Sequence, residues 1–394
     1  MRSYYTIHYQ KELGLRPRVI TRPCFPGTHG EITDAKETIE GIPYHRIAKL
    51  SGLSETFFNL SMRYEFRRLS DYFFIRSFAD TIKNICRQNG INIVQAASPW
   101  INVQSAFNAT YKLGIPVLYE VRGLWEDSEV VSGRLAEGSK EYFQRRSAEE
   151  NAMMRASAII TISDALKNDF IERGISEDKI HVIYNGVDPD RFSPGYPDEE
   201  LMRKLNLNGS VVLGYVSSLR KLEGLPYLIK ALPHILKRAD NVKILIVGKG
   251  PELHALKSLS DELRLTNKIV FTGHVPHDEI KKYYSLIDIF VIPRLNHRVC
   301  NLVTPMKPYE AMSMGKPVVV SRLPALQEMI IEDETGLAFQ AENEQDLARV
   351  CLKLINNSSF RSRLGNNARE WVIRNRGWKQ LVPSYKEIYE RLLC

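Results

Sequence analysis

Short apolar runs alternate with longer amphipathic stretches along the first half of the chain. The longer stretches carry apolar residues at helical spacing and predict helices at residues 73–88, 103–113, 140–155 and 163–173. The short runs between them predict strands at residues 18–21, 93–96, 116–121, 158–162 and 179–184. Because strands that alternate with helices pair in parallel, residues 1–190 are predicted to form a doubly wound α/β domain.

A second series of the same kind follows a linker. Residues 189–197 are rich in Pro, Gly and Asp, which is typical of a connection between domains. Strand-like runs then recur at residues 211–217, 243–248, 268–273, 288–293, 317–321 and 336–339. Residues 191–377 are therefore predicted to form a second α/β domain. The two domains should face each other across a cleft at the carboxyl ends of their strands.

The clearest candidate site lies in the stretch TPMKPYEAMSMGKPVVVS, which begins at Thr304. The pattern predicts a helix and then a buried strand, with Thr304 as the N-cap and Pro305 at the first helical position. Lys307 and Glu310 lie three residues apart, on neighbouring parts of one helix face. Beside a helix N-terminus, the lysine would bind a diphosphate and the glutamate the ribose hydroxyls of a nucleotide. A Lys–Glu pair on a solvated helix is the alternative.

Two turns in the second half carry glycine or basic residues directly after a predicted strand. The first contains Gly248 and Lys249, as in a turn that approaches a phosphate or a ribose. The second places Ser218, Arg220 and Lys221 before a predicted helix, where a basic side chain could bind a diphosphate oxygen. A solvated basic loop is the alternative for the second turn.

Composition and charge narrow the classes of partner. The chain is 44% apolar and 25% charged with a net charge of +8, which favours anionic partners. Nucleic acid is the least favoured of these partners, because the basic residues are not clustered in a DNA-recognition helix. Five scattered cysteines without a CxxC pair indicate neither a disulfide framework nor a zinc site, and they fit the cytoplasm. The Asp188-Pro189-Asp190 sequence is predicted to form a turn, so no metal site is predicted.

Aromatic and arginine residues are interleaved within residues 57–78. Such a segment could lie on a membrane surface, and an amphipathic helix packed on its own domain is the alternative. No apolar run is long enough to span a bilayer. We therefore expect a cytoplasmic protein with a possible peripheral contact to the inner face of the cell membrane.

Six motifs occur in an order and spacing that resemble one enzyme family. They are TIS at 161–163, NGVD at 185–188, VGKGPEL at 247–253, FTGHV at 271–275, DIFVIP at 288–293 and PYEAMSMGKPVVV at 308–320. Together they resemble the retaining glycosyltransferases of family 4, which have the GT-B fold of two Rossmann-like domains. The stretch YEVRGLWED at 119–127 is similar to a subgroup associated with bacterial exopolysaccharide and surface-glycan assembly. The resemblance also implies that residues 378–394, which have the pattern of an amphipathic helix, pack back on the first domain.

The resemblance implies transfer of a sugar from a nucleotide-sugar, with UDP or GDP as the expected nucleotide, to a hydroxyl of a glycan or lipid-linked acceptor. The anomeric configuration would be retained, with no obligatory metal and no further cofactor. Glu310 matches the second glutamate of the family's E-x7-E motif, which binds the ribose. Arg220 or Lys221, with Lys307, would then bind the diphosphate. The donor sugar would face backbone N–H groups of the preceding loop, around Leu302, Val303 and Thr304.

On the first domain, relatives often place a histidine facing the reacting sugar near the end of one strand. Glu120 and Arg122 occupy this region of the present chain. Arg122 could contact the acceptor or the donor phosphate, and Glu120 could accept a proton. A structural Glu–Arg pair is the alternative.

Three features depart from the family pattern. Leu302 stands where the first glutamate of E-x7-E is expected, and the neighbouring Asn301 is the nearest polar residue. Glu223 stands where relatives have a lysine, and a carboxylate there is expected to repel a diphosphate. The strand and glycine-rich loop that precede the first helix in relatives are missing, which should leave two strand edges unpaired. We expect that the chain is truncated at its start.

Two other functions fit parts of the pattern. A non-catalytic nucleotide-sugar-binding or scaffold protein of the same pathway would fit the missing strand and Leu302. A sugar-nucleotide epimerase shares the fold, but that family is expected to carry more acidic and histidine residues in the cleft. A glycosyltransferase is the function we predict.

Overall fold

The computed structural model describes residues 2–21, 36–46 and 67–394, with side chains from residue 71 onwards in the last range. Three short strands form a small sheet in the early part of the chain: β1 Val19–Thr21, β2 Lys36–Ile39 and β3 Ile42–Arg46. Strand β3 is central, parallel to β1 and antiparallel to β2. The strand predicted at residues 18–21 is thus confirmed.

The main sheet of the first domain has four parallel strands, and neighbours in the sheet are also neighbours in sequence. They are β4 Val94–Ala97, β5 Val117–Glu120, β6 Ala158–Thr161 and β7 Ile180–Val182. All residues of β5 and β6 are buried, as expected for parallel strands covered by helices on both faces. The strands predicted in this region are confirmed within a few residues.

Within the described ranges, six helices accompany these sheets. They are α1 Arg2–Glu12, α2 Arg67–Asn89, α3 Trp100–Thr110, α4 Trp125–Val131, α5 Lys140–Arg155 and α6 Asp164–Glu172. Apolar side chains of α3, α5 and α6, among them Val103, Met153 and Phe170, form one core cluster with β5 and β6. This packing fixes the carboxyl ends of β5 and β6, where the site residues lie.

A cleft of about 480 Å³ separates the two sheets of the first domain. It is bordered by β1 and β4, each the outermost strand of its sheet, and lined on one side by Ile82 of α2 and on the other by Ile7 of α1. Within the described ranges, no strand pairs with β1 or β4 on the side facing this cleft. In the part of the chain that the structure describes, the free edges of β1 and β4 therefore border this cleft, and the missing strand stays a prediction.

The aromatic and arginine-rich segment at residues 57–78 is only partly described. Residues 57–66 lie outside the described ranges, and residues 67–78 belong to α2. Phe78 is buried against the domain, whereas Tyr72 and Phe73 are exposed. None of the helices in the described ranges is long and apolar enough to cross a membrane.

The second domain is built on a parallel sheet of six strands. In chain order they are β8 Val211–Val216, β9 Val242–Val247, β10 Ile269–Gly273, β11 Ile289–Ile292, β12 Val318–Ser321 and β13 Gly336–Phe339. Their order across the sheet is β10-β9-β8-β11-β12-β13, so the sheet winds outwards in both directions from β8. All six strands predicted from the sequence are confirmed, and the topology is that of a doubly wound Rossmann-like domain.

Helices cover both faces of this sheet. They are α7 Glu199–Lys204, α8 Leu225–Leu236, α9 Leu253–Glu262, α10 Ile280–Ser285, α11 Arg298–Leu302, α12 Lys307–Ser313, α13 Pro324–Gln327, α14 Glu344–Ile355 and α15 Ser358–Arg376. Residues of α8, α9 and α14 form the apolar core on one face, and residues of α10, α12 and α15 form it on the other.

After α15 the chain returns to the first domain through α16 Trp378–Leu381 and α17 Pro383–Leu393. Trp378, Tyr385 and Ile388 are buried in one cluster with Tyr5 of α1 and with β5 and β6 of the main sheet of the first domain. The outgoing and returning segments also pair directly, because the N–H of Val187 donates to the carbonyl of Arg376 at 2.9 Å. The tail from residue 378 therefore packs on the first domain.

Candidate active site

The helix predicted to begin at Thr304 begins at Lys307 in the structure. Thr304 instead contacts the first domain. Its hydroxyl donates to the carbonyl of Ile162 at 3.2 Å, and its own carbonyl accepts a hydrogen bond from the Asn185 side chain at 2.9 Å. The predictions of Thr304 as the N-cap and Pro305 as the first helical residue are therefore wrong, because the contact between the domains holds this segment in a non-helical conformation.

Lys307 and Glu310 remain together at the start of α12. Glu310 is 3% exposed, and its carboxylate oxygens lie 3.1 and 3.2 Å from Lys307 Nζ. The hydroxyl of Tyr284 on α10 donates to the same carboxylate at 2.8 Å. Burial and the neighbouring Glu310 raise the pKa of Tyr284, so this hydroxyl stays protonated and remains a donor. Glu310 is thus a buried, oriented carboxylate, and the alternative of a solvated Lys–Glu pair does not describe it.

The basic turn after β8 presents its cations to solvent. Ser218, Arg220 and Lys221 are exposed. Arg220, whose side chain is 55% exposed, lies 3.8 Å from the carboxylate of Glu223, which is a weak pairing at such exposure. The guanidinium is therefore available to an anion, and its role at a diphosphate stays a prediction.

The carboxylate that was expected to repel a diphosphate is neutralised by a partner. Glu223 is buried, and Arg294 in the loop after β11 binds its two oxygens at 3.1 and 3.2 Å. The remaining guanidinium nitrogen of Arg294 donates to the carbonyl of Val303 at 3.1 Å. Burial alone would lower the pKa of Arg294, but Glu223 raises it overall, so the pair is ionised. The expectation of repulsion is wrong because a residue distant in sequence cancels the charge.

The glycine turn after β9 packs against the basic turn after β8. Gly248 has a φ of 142°, and a Cβ atom there would lie 1.9 Å from the carbonyl oxygen of Ser217. The N–H of Leu219 donates to the carbonyl of Lys249 at 3.0 Å, which joins the two turns. The close approach that requires Gly248 is therefore within the protein. Contacts of Gly248 and Lys249 with a phosphate or a ribose stay a prediction.

The end of α11, at residues 301–303, forms part of the domain contact. Leu302 and Val303 pack against the core cluster of the first domain, and the carbonyl of Leu302 accepts a hydrogen bond from Ser163 Oγ. Asn301 is half-buried, and its side-chain amide donates to the Asn296 side chain at 2.9 Å. The position of the family's first glutamate is thus an apolar contact between domains. That the N–H groups of this segment face a donor sugar stays a prediction.

Glu120 at the end of β5 is completely buried and accepts four hydrogen bonds. The donors are Arg2 Nε at 2.6 Å, the Tyr385 hydroxyl at 2.7 Å, Gln95 Nε2 at 2.8 Å and the guanidinium of Arg122. Burial alone would raise its pKa, but Arg122 and Arg2 hold the pKa of this carboxyl well below its usual range. Such a carboxylate is a poor proton acceptor, so the geometry favours the structural Glu–Arg alternative.

Arg122 is the better placed of the two first-domain candidates. Its guanidinium is a quarter exposed, donates to Ser3 Oγ at 2.6 Å and pairs with Glu120. No sequence motif indicated Arg2, which is buried and donates to Glu120 and to Tyr385 of α17. Only folding brings residues 2, 120 and 385 together.

Two further domain contacts were absent from the sequence predictions. Both carboxylate oxygens of Glu328, after α13, accept the N–H groups of Asp164 and Ala165 at 2.9 and 2.7 Å. A residue of the second domain thus caps the N-terminus of α6 in the first domain. Arg298 of α11 likewise pairs with Asp127 of α4 at 3.4 Å and with an aspartate on α6.

These contacts place the candidate residues on two facing edges. In the second domain the basic turn, the glycine turn and Arg294 follow β8, β9 and β11, which are adjacent strands. In the first domain Arg122 and Ser163 follow β5 and β6, which are adjacent as well. Because carboxyl ends of parallel strands share one edge of a sheet, both sets border the cleft between the domains.

The Asp188-Pro189-Asp190 sequence forms a local turn, as predicted. Asp188 Oδ1 accepts the N–H groups of Asp190 and Arg191, both at 3.1 Å. Among the residues that the structure describes, no group of three or more His, Cys, Asp or Glu side chains is placed to hold a metal ion.

Three known proteins illustrate what the chain resembles. An uncharacterized glycosyltransferase of Methanocaldococcus jannaschii is 32% identical over 240 residues, which are 59% of each chain. CapM of Staphylococcus aureus, a capsular polysaccharide biosynthesis glycosyltransferase, is 31% identical over 263 residues, 65% of each chain. The matched part thus spans less than two thirds of these relatives. The structure of Anabaena HepE in complex with UDP has a TM-score of 0.71 at 19% identity and covers 89% of this chain and 87% of that one.

Two family models account for the two halves. The model of Glycosyltransferase Family 4 matches residues 4–191, and the model of Glycosyl transferases group 1 matches residues 197–371. Each match corresponds to one of the two Rossmann-like domains described above. The chain therefore belongs to the glycosyltransferases of the family 4 type and has the GT-B fold.

Proposed function

We propose that the protein transfers a sugar from a nucleotide-sugar donor to a hydroxyl of a glycan or lipid-linked acceptor, with retention, in polysaccharide biosynthesis. The observation that carries this proposal is the buried carboxylate of Glu310, held by Tyr284 at 2.8 Å and by Lys307 at 3.1 Å. A carboxylate offers about four acceptor positions, so two donors leave capacity for the hydroxyls of a ribose. The complex of HepE with UDP supports a nucleotide-sugar donor, and the description of CapM as a capsular polysaccharide biosynthesis glycosyltransferase supports a role in polysaccharide biosynthesis.

The transfer breaks the bond between the anomeric carbon and the diphosphate, and forms a bond from that carbon to the acceptor oxygen. Negative charge develops on the leaving diphosphate, and its oxygen takes up the proton that the acceptor hydroxyl loses. The exposed cations of Arg220 and Lys221 would stabilise this charge. We therefore propose a hexosyl transfer that needs neither a resident metal nor a further cofactor, with a UDP- or GDP-sugar as the donor.

Saturation-transfer NMR against UDP-, GDP-, ADP- and dTDP-sugars tests this proposal, with release of free sugar followed in the same samples and in the presence of EDTA. We expect one nucleotide to bind and its sugar to be released slowly. Absence of binding by every nucleotide would contradict the proposed donor site. Loss of release in EDTA, with binding retained, would contradict the metal-independent mechanism.

A non-catalytic nucleotide-sugar-binding or scaffold protein is the second candidate. It is favoured by Leu302, which packs between the domains where relatives have a glutamate. This function predicts nucleotide-sugar binding without release or transfer of the sugar, including with a mixture of glycan acceptors. The same NMR samples therefore distinguish the two functions.

We also propose that the protein acts in the cytoplasm and contacts the membrane peripherally. Tyr72 and Phe73, at the start of α2, expose 55% and 44% of their surface on a chain with a net charge of +8. Co-sedimentation with phosphatidylglycerol vesicles should be lost in Tyr72→Ser/Phe73→Ser. The exposed Tyr111→Ser serves as the control variant.

A further inference from the structure

Trp125 is a large aromatic residue that the fold leaves half exposed beside the cleft. It is the first residue of α4, and 51% of its surface is exposed, whereas Trp378 is completely buried. The residues around it point inwards: Leu124 belongs to the core of the first domain, and Glu126 and Asp127 are buried. The indole is thus the exposed side chain of α4, since Glu126, Asp127 and Val131 are buried and Ser128, Glu129 and Val130 are partly buried.

The position of α4 places Trp125 close to the contact between the two domains. Helix α4 contacts α11 of the second domain, and its Asp127 pairs with Arg298 at 3.4 Å. At the other end of α4, Val131 lies in the apolar core of the second domain. Arg122, three residues before Trp125, follows the carboxyl end of β5. Trp125 thus follows Arg122 in the chain and begins the helix, α4, that contacts α11 of the second domain.

The chemistry of an indole at this place indicates a sugar ring. A tryptophan offers a wide apolar face and one N–H donor, and it keeps its shape at a low cost in side-chain entropy. A pyranose has one face of C–H groups that packs on such a surface while its hydroxyls stay solvated. The two adjacent carboxylates are turned into the protein, so the exposed surface beside Trp125 does not present their charge.

We propose that Trp125 is the stacking platform of an acceptor subsite, which binds an uncharged pyranose ring of a glycan acceptor at the rim of the cleft. This subsite rests on the proposed glycosyltransferase function, since it supplies the substrate that receives the sugar. Arg122 precedes Trp125 by three residues, in the loop that joins β5 to α4. A membrane surface is the competing occupant of an exposed tryptophan.

The experiment compares Trp125→Ala and Trp125→Phe with Tyr196→Ala, a control at a residue that is 99% exposed in the linker between the domains. The probes are methyl glycosides of glucose, galactose, mannose and N-acetylglucosamine, titrated by tryptophan fluorescence and by saturation-transfer NMR. We expect at least one glycoside to bind, with affinity reduced about tenfold in Trp125→Ala and less in Trp125→Phe. Affinity for UDP should be the same in all variants, and melting curves verify that each variant is folded.

Three results would overturn this proposal. The first is glycoside binding that is unchanged in Trp125→Ala. The second is binding of none of the glycosides by the unmodified protein. The third is loss of phosphatidylglycerol vesicle binding in Trp125→Ala with glycoside affinity unchanged, which would assign the indole to a membrane contact. Because the glycoside titration contains no nucleotide, it is independent of donor binding; absence of binding by every nucleotide would instead contradict the proposed donor site.

Discussion

Arg294 binds both carboxylate oxygens of Glu223, although 71 residues separate them in sequence. The pair joins the turn after β8 to the loop after β11, and Arg294 extends it by donating to the carbonyl of Val303. The charge of Glu223 is thus neutralised inside the protein. Arg220 and Lys221 are the exposed cations of this turn, and their role at a diphosphate, with that of Lys307, stays a prediction.

Removal of Arg294 should therefore be strongly destabilising. Arg294→Met leaves the buried carboxylate of Glu223 with only the exposed Arg220 at 3.8 Å, and we expect the free energy of unfolding to fall by about 3–5 kcal/mol. Arg294→Met combined with Glu223→Leu should recover much of this loss, because no buried charge remains. The control is Arg322→Met, which breaks an exposed pair with Glu332 and should cost at most about 1 kcal/mol. Urea unfolding gives the free energy of unfolding of the unmodified protein and of the three variants. Equal losses in Arg294→Met and Arg322→Met would contradict the prediction.

Glu310→Gln should weaken nucleotide binding while the fold is kept. The amide replaces a charged acceptor of ribose hydroxyls and disturbs the contacts to Tyr284 and Lys307, so we expect UDP affinity to fall about 10- to 100-fold. Isothermal titration calorimetry measures the change. Glu370→Gln, at an exposed residue of α15, is the matched control and should bind as the unmodified protein does. An unchanged affinity in a folded Glu310→Gln variant would remove Glu310 from the nucleotide site.

The stability of the first domain should fall as the pH rises towards neutrality. Burial raises the pKa of Glu149 to about 7, and the nearby Glu126 adds to the shift, whereas the Tyr119 hydroxyl, the N–H of Trp100 and Arg173 oppose it. Because the folded state holds this proton more tightly than the unfolded state, the stabilisation is complete below about pH 4.5. It is lost as the pH rises through about 7, and its size is about 3 kcal/mol.

Glu149→Gln tests this titration. The amide has no proton to lose, so the fall in stability between about pH 5 and 7 should become shallower in the variant. The exposed Glu262→Gln is the control and should keep the slope of the unmodified protein. Urea unfolding at several pH values gives both slopes, and equal slopes for Glu149→Gln and the unmodified protein would contradict the assignment.

Glu328→Ala should loosen the contact between the domains. The variant removes the carboxylate that accepts the N–H groups of Asp164 and Ala165 at the start of α6. Loss of a helix cap costs about 1 kcal/mol, and the population of open conformations should rise accordingly. Small-angle X-ray scattering should show a larger radius of gyration than for Glu334→Ala, an exposed control six residues away. Identical scattering curves would show that this contact does not hold the domains together.

The strands and most helices could be predicted because their signals are local. Apolar runs such as those of β9 and β12 are buried on both faces, and the sequence marks them without reference to the rest of the fold. The start of α12 could not be predicted. Thr304 and Pro305 have good local chemistry for a helix start, but the bonds from Thr304 to Ile162 and Asn185 prevail.

The sequence by itself determined the alternation of strands and helices, the two domains and the adjacency of Lys307 and Glu310, since all of these depend on neighbours along the chain. Tertiary structure alone decided the partners of buried charges. Glu120 is held by Arg2 and Tyr385, and Glu223 by Arg294. A buried charge requires a counter-charge within about 4 Å, and only the folded chain determines which distant residue supplies it.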